Sequence, residues 1–368
     1  VIASANCKDQ VGTDGYTLWG GYWNQAYYPS RLNAYMPAQS AERQIPVPVF
    51  RMLGSDPLRQ YDTGIGGGAQ GVISLEPVYG GSGGDPAWIE WFLQNLAQGE
   101  CLAFNYTQAG QENSFTWEAM QSGLKRQFPL IAQLRDAGQL RVERLADSGE
   151  WFRQQFPVTP ATAMTFQTPL RDDSRQTVWF NSRFYRVNLI WENNHLRVRD
   201  IHLFDESIES PILRERVDQP AVEFHTLPVV DGYYWSSREQ AAGLVVKARV
   251  EGEEALVSGG SPTVSKATAG VLQVVWPLNS TTGQLVLTFT EDNLRVELLG
   301  GSSTQWWLEL VADQQTKLPF TSVGKSTLRA EFQGTQYRVT APQGGFQAQG
   351  AGFRILPDRG VVSLRLGD

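Results

Sequence analysis

From residue 46 onward, short apolar runs alternate with stretches whose apolar residues recur at helical spacing. Val47 to Leu53 reads as a strand, and so does Gly71 to Tyr79, whose apolar run Val72-Ile73-Ser74-Leu75 closes on Glu76. Asp85-Pro86-Ala87-Trp88 then opens a helix to about Ala97. Aspartate accepts amide hydrogen bonds at an N-cap, and the fixed φ of proline suits the first helical position. Cys101 to Tyr106 is the next strand. A second helix begins at Ser114 to Glu118, carries Met120, Leu124, Phe128, Ile131 and Leu134, and ends at Gly138. Leu140 to Leu145 reads as a strand and Gly149 to Phe156 as a short helix. Buried strands alternating with helices predict parallel βα units, with active loops at the carboxyl ends of the strands. Residues 1–218 are therefore expected to form a TIM-barrel-like (β/α) domain, the catalytic one. About five strands are visible against the roughly eight of a closed barrel, so the barrel is incomplete or its opening units precede Val1.

The pattern changes near Thr177. Val178 to Asn181, Phe184 to Trp191 and His195 to Phe204 are strand-like runs joined by Asn-Ser and Asn193-Asn194, residues suited to tight hairpins, and they predict an antiparallel insertion or cap. Pro211 to Pro220 is polar and charged, a passage to a second unit. Beyond Gly243 the chain shows short strands spaced by Gly, Asn, Asp and Ser, so residues 219–368 are expected to form an antiparallel β-sandwich. The loops Gly64 to Gly68 and Gly80 to Gly84 lack the spacing of a phosphate-binding loop and read as mobile segments that let a large substrate approach the backbone.

Composition narrows the function. With 31 basic against 38 acidic residues the net charge is -7, which gives no footprint for a phosphate backbone, so no nucleic acid partner is expected. Apolar runs are far shorter than the roughly 20 residues that cross a bilayer, so no membrane span is expected. Low charge, 12 Trp, 12 Tyr and only two cysteines, Cys7 and Cys101, point to an extracytoplasmic protein, secreted, periplasmic or on the cell surface. The triplets at Asn105 and Asn279 match the glycosylation sequon. Any signal peptide lies outside this numbering. Asp200 and His202 share one face of a strand, but with three histidines in the chain the ligand set is thin, and neither metal nor cofactor is expected.

The candidate chemistry is carboxylate chemistry. Glu76 and Glu112 stand 36 residues apart, the length of one βα repeat, which would bring both to one barrel rim. A glycosidase needs two carboxylates about 5 to 10 Å apart, one to protonate the departing oxygen and one to attack or to activate water. The competing structural roles are a helix cap for Glu112 and an arginine pairing for Glu76. Asp62 and Tyr61 lie on the same expected rim as substrate-positioning residues, and Trp23 or Tyr79 would stack on a sugar ring, whose apolar face suits flat aromatics.

The stretches Phe50-Arg51-Met52-Leu53-Gly54-Ser55-Asp56-Pro57 and Gly110-Gln111-Glu112-Asn113-Ser114-Phe115, with the Trp/Tyr-rich opening, resemble secreted bacterial glycoside hydrolases that carry a catalytic barrel and a C-terminal β-sandwich. That resemblance, one of layout over the whole chain, implies a poly- or oligosaccharide substrate. Two other readings predict different behaviour. A noncatalytic glycan-binding surface protein would have no turnover to lose, and a metal-dependent polysaccharide deacetylase would hold zinc or a similar ion.

Overall fold

The computed structural model describes residues 2–4, 25–34, 36–51, 54–68, 71–109, 115–210, 213–216, 226–279, 283–300 and 305–367. The chain divides into two compact units, Val1–Thr177 with Asp205–His225, and Val178–Phe204 with Thr226–Asp368.

The first unit holds the three helices found among the described residues: α1 (Pro86–Gln98), α2 (Trp117–Asp136) and α3 (Leu145–Gln155). The side chain of Asp85 caps α1 by accepting from the Ala87 amide at 3.0 Å, with Pro86 at the first helical position. Helix α1 buries Trp88, Trp91 and Phe92, with Trp88 and Phe92 stacked at 4.8 Å and Trp91 tilted against Phe166 at 5.1 Å. A second apolar cluster gathers Ala26, Tyr28, Phe50 and Phe152, with Phe104, Tyr106, Leu145, Trp151 and Phe156 packed around it. A small sheet joins Ile2–Ser4, Val49–Arg51 and Ala26–Tyr27, the first two paired in parallel.

These elements do not make a TIM-like barrel. A (β/α)8 barrel needs eight helices alternating with eight strands; the described residues contain three helices, hold far more strand than helix, and close no sheet into a barrel. The helices form close to where the sequence places them, but the strands expected between them do not. In Gly71 to Tyr79 pairing shrinks to one bridge, Ser55 with Ser74. There the Gln60 side chain accepts from the Ile73 amide at 2.5 Å and donates to the Gly71 carbonyl at 2.9 Å, taking groups a ladder would use. Ala103, at φ 56°, breaks the extended run after Cys101. Arg141 to Arg144 are exposed, and Val142 is 59% accessible, so that alternation has no core to face.

The second unit is built from antiparallel sheets. An eight-stranded sheet runs in the order Thr263–Thr268, Val271–Pro277, Gln284–Phe289, Asn293–Leu299, Val361–Arg365, Thr335–Gln343, Thr327–Phe332, Phe320–Val323. The other sheet places Gly345–Gln349, Gly352–Leu356, Trp306–Val311, Gly243–Val250, His195–Leu203 and Tyr185–Glu192 side by side, with Leu227–Asp231 paired to His195–Leu203. Alternating burial along Gly243–Val250 and Val271–Pro277 shows one face of each turned inward. Phe180 stacks on Phe289 at 5.3 Å, and the Tyr185 hydroxyl donates to the Thr290 carbonyl at 2.7 Å, which ties the sheets across their shared core.

Candidate functional site

Four of the six residues singled out in the sequence fall within the described residues; Trp23 and Glu112 lie outside them. Tyr61 and Asp62 sit on the 3-10 turn Gln60–Asp62. Tyr61 is buried, 1% exposed, so its ring is part of the core. Asp62 is half-buried and lies 4.0 Å from Arg175, at one end of a ladder of alternating charges. Arg175 pairs with Asp173 at 2.8 Å, Asp173 with Arg59 at 2.5 Å, and Arg59 with Asp56 at 2.8 Å. Burial alone would raise the Asp173 carboxyl, but hydrogen bonds from Arg175 and the charge of Arg59 outweigh it and hold the group well below the usual carboxylate range. The Arg59 guanidinium also lies over the Trp91 ring, 5.0 Å from its centroid.

Glu76 and Tyr79 are half-buried and belong to the turn-rich loop between Leu75 and Asp85. The segments around Ser55 and Ser74 run antiparallel, with the Leu75 amide donating to the Gly54 carbonyl and the Asp56 amide to that of Ile73. Glu76 and Asp62 therefore leave this pairing at opposite ends. Helix α2 fixes the loop: the buried Gln127 amide donates to the Leu75 carbonyl at 2.8 Å and to the Gly83 carbonyl at 2.6 Å. Gly83 is a packing glycine, because a Cβ there would stand 2.1 Å from the Glu76 carbonyl oxygen. The Gly80 to Gly84 loop, expected to be mobile, is thus clamped at its second half.

Sequence reasoning missed a cavity of about 370 Å³ in the same unit, lined by Pro46, Val47, Pro48, Leu145, Ala146, Gly149, Glu150 and Arg153. One stripe of α3, Ala146, Gly149, Glu150 and Arg153 at spacings of three, one and three, supplies a wall. The Pro46-Val47-Pro48 stretch supplies the other, rigid because each proline fixes its φ. The α3 ion pair engages Arg144 with Asp147 at 2.8 Å, and among the described residues neither Glu150 nor Arg153 enters a salt bridge. Beside the cavity, burial raises the Tyr28 phenol, with Arg153 acting in the opposite sense, and the hydroxyl donates to the Phe156 carbonyl at 2.9 Å. A proline-x-proline motif facing an amphipathic helix was the available signal.

Among the described residues no group of three or more His, Cys, Asp or Glu is arranged to hold a metal ion, and no helix is long and apolar enough to cross a membrane. The Asn105 amide of the first sequon donates to the Leu96 carbonyl at 2.9 Å. Comparison with protein-family models, with curated proteins and with solved structures gave no match.

Proposed function

We propose that the chain is a glycan-binding protein and that the cavity beside α3 takes one residue of a poly- or oligosaccharide. The observation that carries this reading is the cavity itself. Its volume of about 370 Å³ lies in the range of small-molecule sites, and it pairs apolar walls with a few polar groups that fix orientation. The apolar face of a pyranose suits Pro46, Pro48 and Leu145. Its hydroxyls suit the Glu150 carboxylate and the five donors of Arg153.

Binding is favoured over hydrolysis by the lining: Glu150 is the one carboxylate among the described residues that line the cavity, whereas a glycosidase needs a pair about 5 to 10 Å apart. The test is titration of the full chain with soluble cello-, xylo-, manno- and chito-oligosaccharides, alongside Arg153→Met and Glu150→Gln. One series should bind, and each substitution should weaken it by about tenfold, the loss of one charge-assisted hydrogen bond. Unchanged affinity in both variants would remove the cavity from the account. Release of reducing ends that falls in Glu76→Gln or Glu112→Gln would replace binding with a glycosidase reading.

A further inference from the structure

We propose a second saccharide contact in the all-β unit, a stacking surface formed by the turn Asp231-Gly232-Tyr233-Tyr234-Trp235. The turn is preorganised from beneath. One carboxylate oxygen of the buried Asp231 accepts from the Tyr233 amide at 2.9 Å and from the Tyr234 amide at 2.8 Å. Gly232 lets the chain pass over the neighbouring strand, since a Cβ there would meet the Arg199 carbonyl oxygen at 2.5 Å. Trp235 anchors the far side: it is buried, packs edge-on against Phe320 at 5.8 Å, and its carbonyl accepts from the Asp313 amide at 2.8 Å. Between these anchors Tyr234 stands 50% exposed, its orientation set by a perpendicular contact with Tyr233 at 5.4 Å.

The surroundings decide the class of ligand. Tyr234 is the one large apolar side chain exposed in this turn; Ser236, Ser237, Arg238, Glu239 and Gln240 follow it in the chain, and Asp313, with Gln315 bonded to it, is tied to the turn through the Trp235 carbonyl and Ser237. An apolar protein partner would call for a contiguous hydrophobic patch. A half-exposed flat ring among hydroxyl, amide and charged groups instead suits a polyol with one apolar face, which is a sugar ring. The carboxylate of Asp313 is lowered by the Gln315 amide and by Ser237, so it stays an acceptor at neutral pH. This site shares its ligand class with the cavity beside α3 and rests on the glycan-binding reading, but it stands on separate residues in a separate unit.

The experiment measures retention of the full chain on insoluble cellulose, chitin, xylan and mannan, for the native sequence and for Tyr234→Ala, Tyr234→Phe and Arg153→Met. Tyr234→Ala should cut the association constant for one of the four by about tenfold, and Tyr234→Phe, which keeps the ring, should stay within about threefold. Both should keep the native thermal midpoint, because the ring is half exposed. Equal retention of Tyr234→Ala and the native chain, with loss in Arg153→Met, overturns this inference and leaves the cavity reading standing. Loss in Tyr234→Ala with full retention of Arg153→Met upholds the turn and removes the cavity. No retention of the native chain on any of the four overturns both.

Discussion

Nε2 of His202 lies 3.4 Å from Oδ2 of Asp231, in the interior of the all-β unit. The same nitrogen is 3.8 Å from Oδ2 of Asp200 and makes no aligned hydrogen bond, while Nδ1 meets the Thr226 hydroxyl at 2.8 Å. Strand register creates this cluster: Asp200 faces Asp231 across one ladder, and Arg186 faces His202 across the next. Arg186 completes it with a two-pronged pair to Asp200 at 3.0 and 3.2 Å. Two carboxylates that would repel as cross-strand neighbours are thus each given a cationic or polar partner.

The first prediction concerns Arg186→Met. Both Arg186 and Asp200 are fully buried, so the substitution leaves a carboxylate with its principal partner gone. Breaking one side of a buried pair costs about 3 to 5 kcal/mol. Urea unfolding should show the unfolding free energy falling by that amount, as a lower midpoint at an unchanged slope. A loss below about 1 kcal/mol would mean that Arg186 is not the partner that offsets the burial of Asp200.

Acid stability gives the second. Burial would raise the Asp231 carboxyl, but the facing His202 and the amides of Tyr234 and Tyr233 outweigh it, so the native group lies below its ordinary value. A depressed native pKa contributes stability that is complete above the unfolded value of about 3.9 and is lost as the pH falls through the native one. The chain should therefore be level in stability from neutrality to about pH 5 and weaken below about pH 4. Asp231→Asn should start less stable and lose less on acidification, and parallel acid limbs for the two proteins would refute the assignment.

What the sequence made legible was local. Asp85 with Pro86, and Gly138 after the apolar positions of α2, mark helix ends through chemistry confined to a few residues, and the helices formed there. The strands between them were misread because their apolar runs serve other contacts. Leu75 and Ile73 are tied to Gly54 and Gln60, and Val142 faces solvent. A parallel barrel is a claim about non-local pairing, and periodicity within one segment carries no information about its neighbour. The same limit hid the cavity, since Pro46 to Pro48 and α3 lie about a hundred residues apart in sequence. Asp62 was expected on a barrel rim that the fold does not have; it meets Arg175 instead, and the ladder reaches Arg59 and Asp56 through the tertiary approach of Asp173.

Close packing supplies the third prediction. A Cβ at Gly83 would stand 2.1 Å from the Glu76 carbonyl oxygen, and one at Gly123 would stand 2.4 Å from the Pro77 carbonyl oxygen. Each contact is to backbone, which cannot swing aside. Gly83→Ala and Gly123→Ala should each cost about 1 to 3 kcal/mol, whereas Gly80→Ala and Gly81→Ala, which meet nothing within 4 Å, should change stability by under about 0.5 kcal/mol. Equal effects at all four positions would show that α2 does not clamp this loop.

The last prediction separates the buried end of the charge ladder that carries Asp62 from its middle. Asp56 is fully buried, and its carboxylate accepts from the amides of Leu58 and Arg59, from Nη1 of Arg59 and from Nε1 of Trp88. An asparagine there keeps one oxygen for the amides. Its NH2 group, however, must face the N–H donors of Trp88 and Arg59, donor against donor. Leaving buried donors unmatched costs about 1 to 3 kcal/mol, with more where one is charged. Asp173 is 25% exposed, so water can replace what Asp173→Asn removes, and its pairs with Arg59 and Arg175 are worth nearer about 1 kcal/mol. Urea unfolding should rank Asp56→Asn as more damaging by about 2 kcal/mol, with a changed emission from Trp88 in the folded state. If Asp173→Asn proves the more destabilising of the two, the ladder is held from its middle and the anchoring role of Asp56 is wrong.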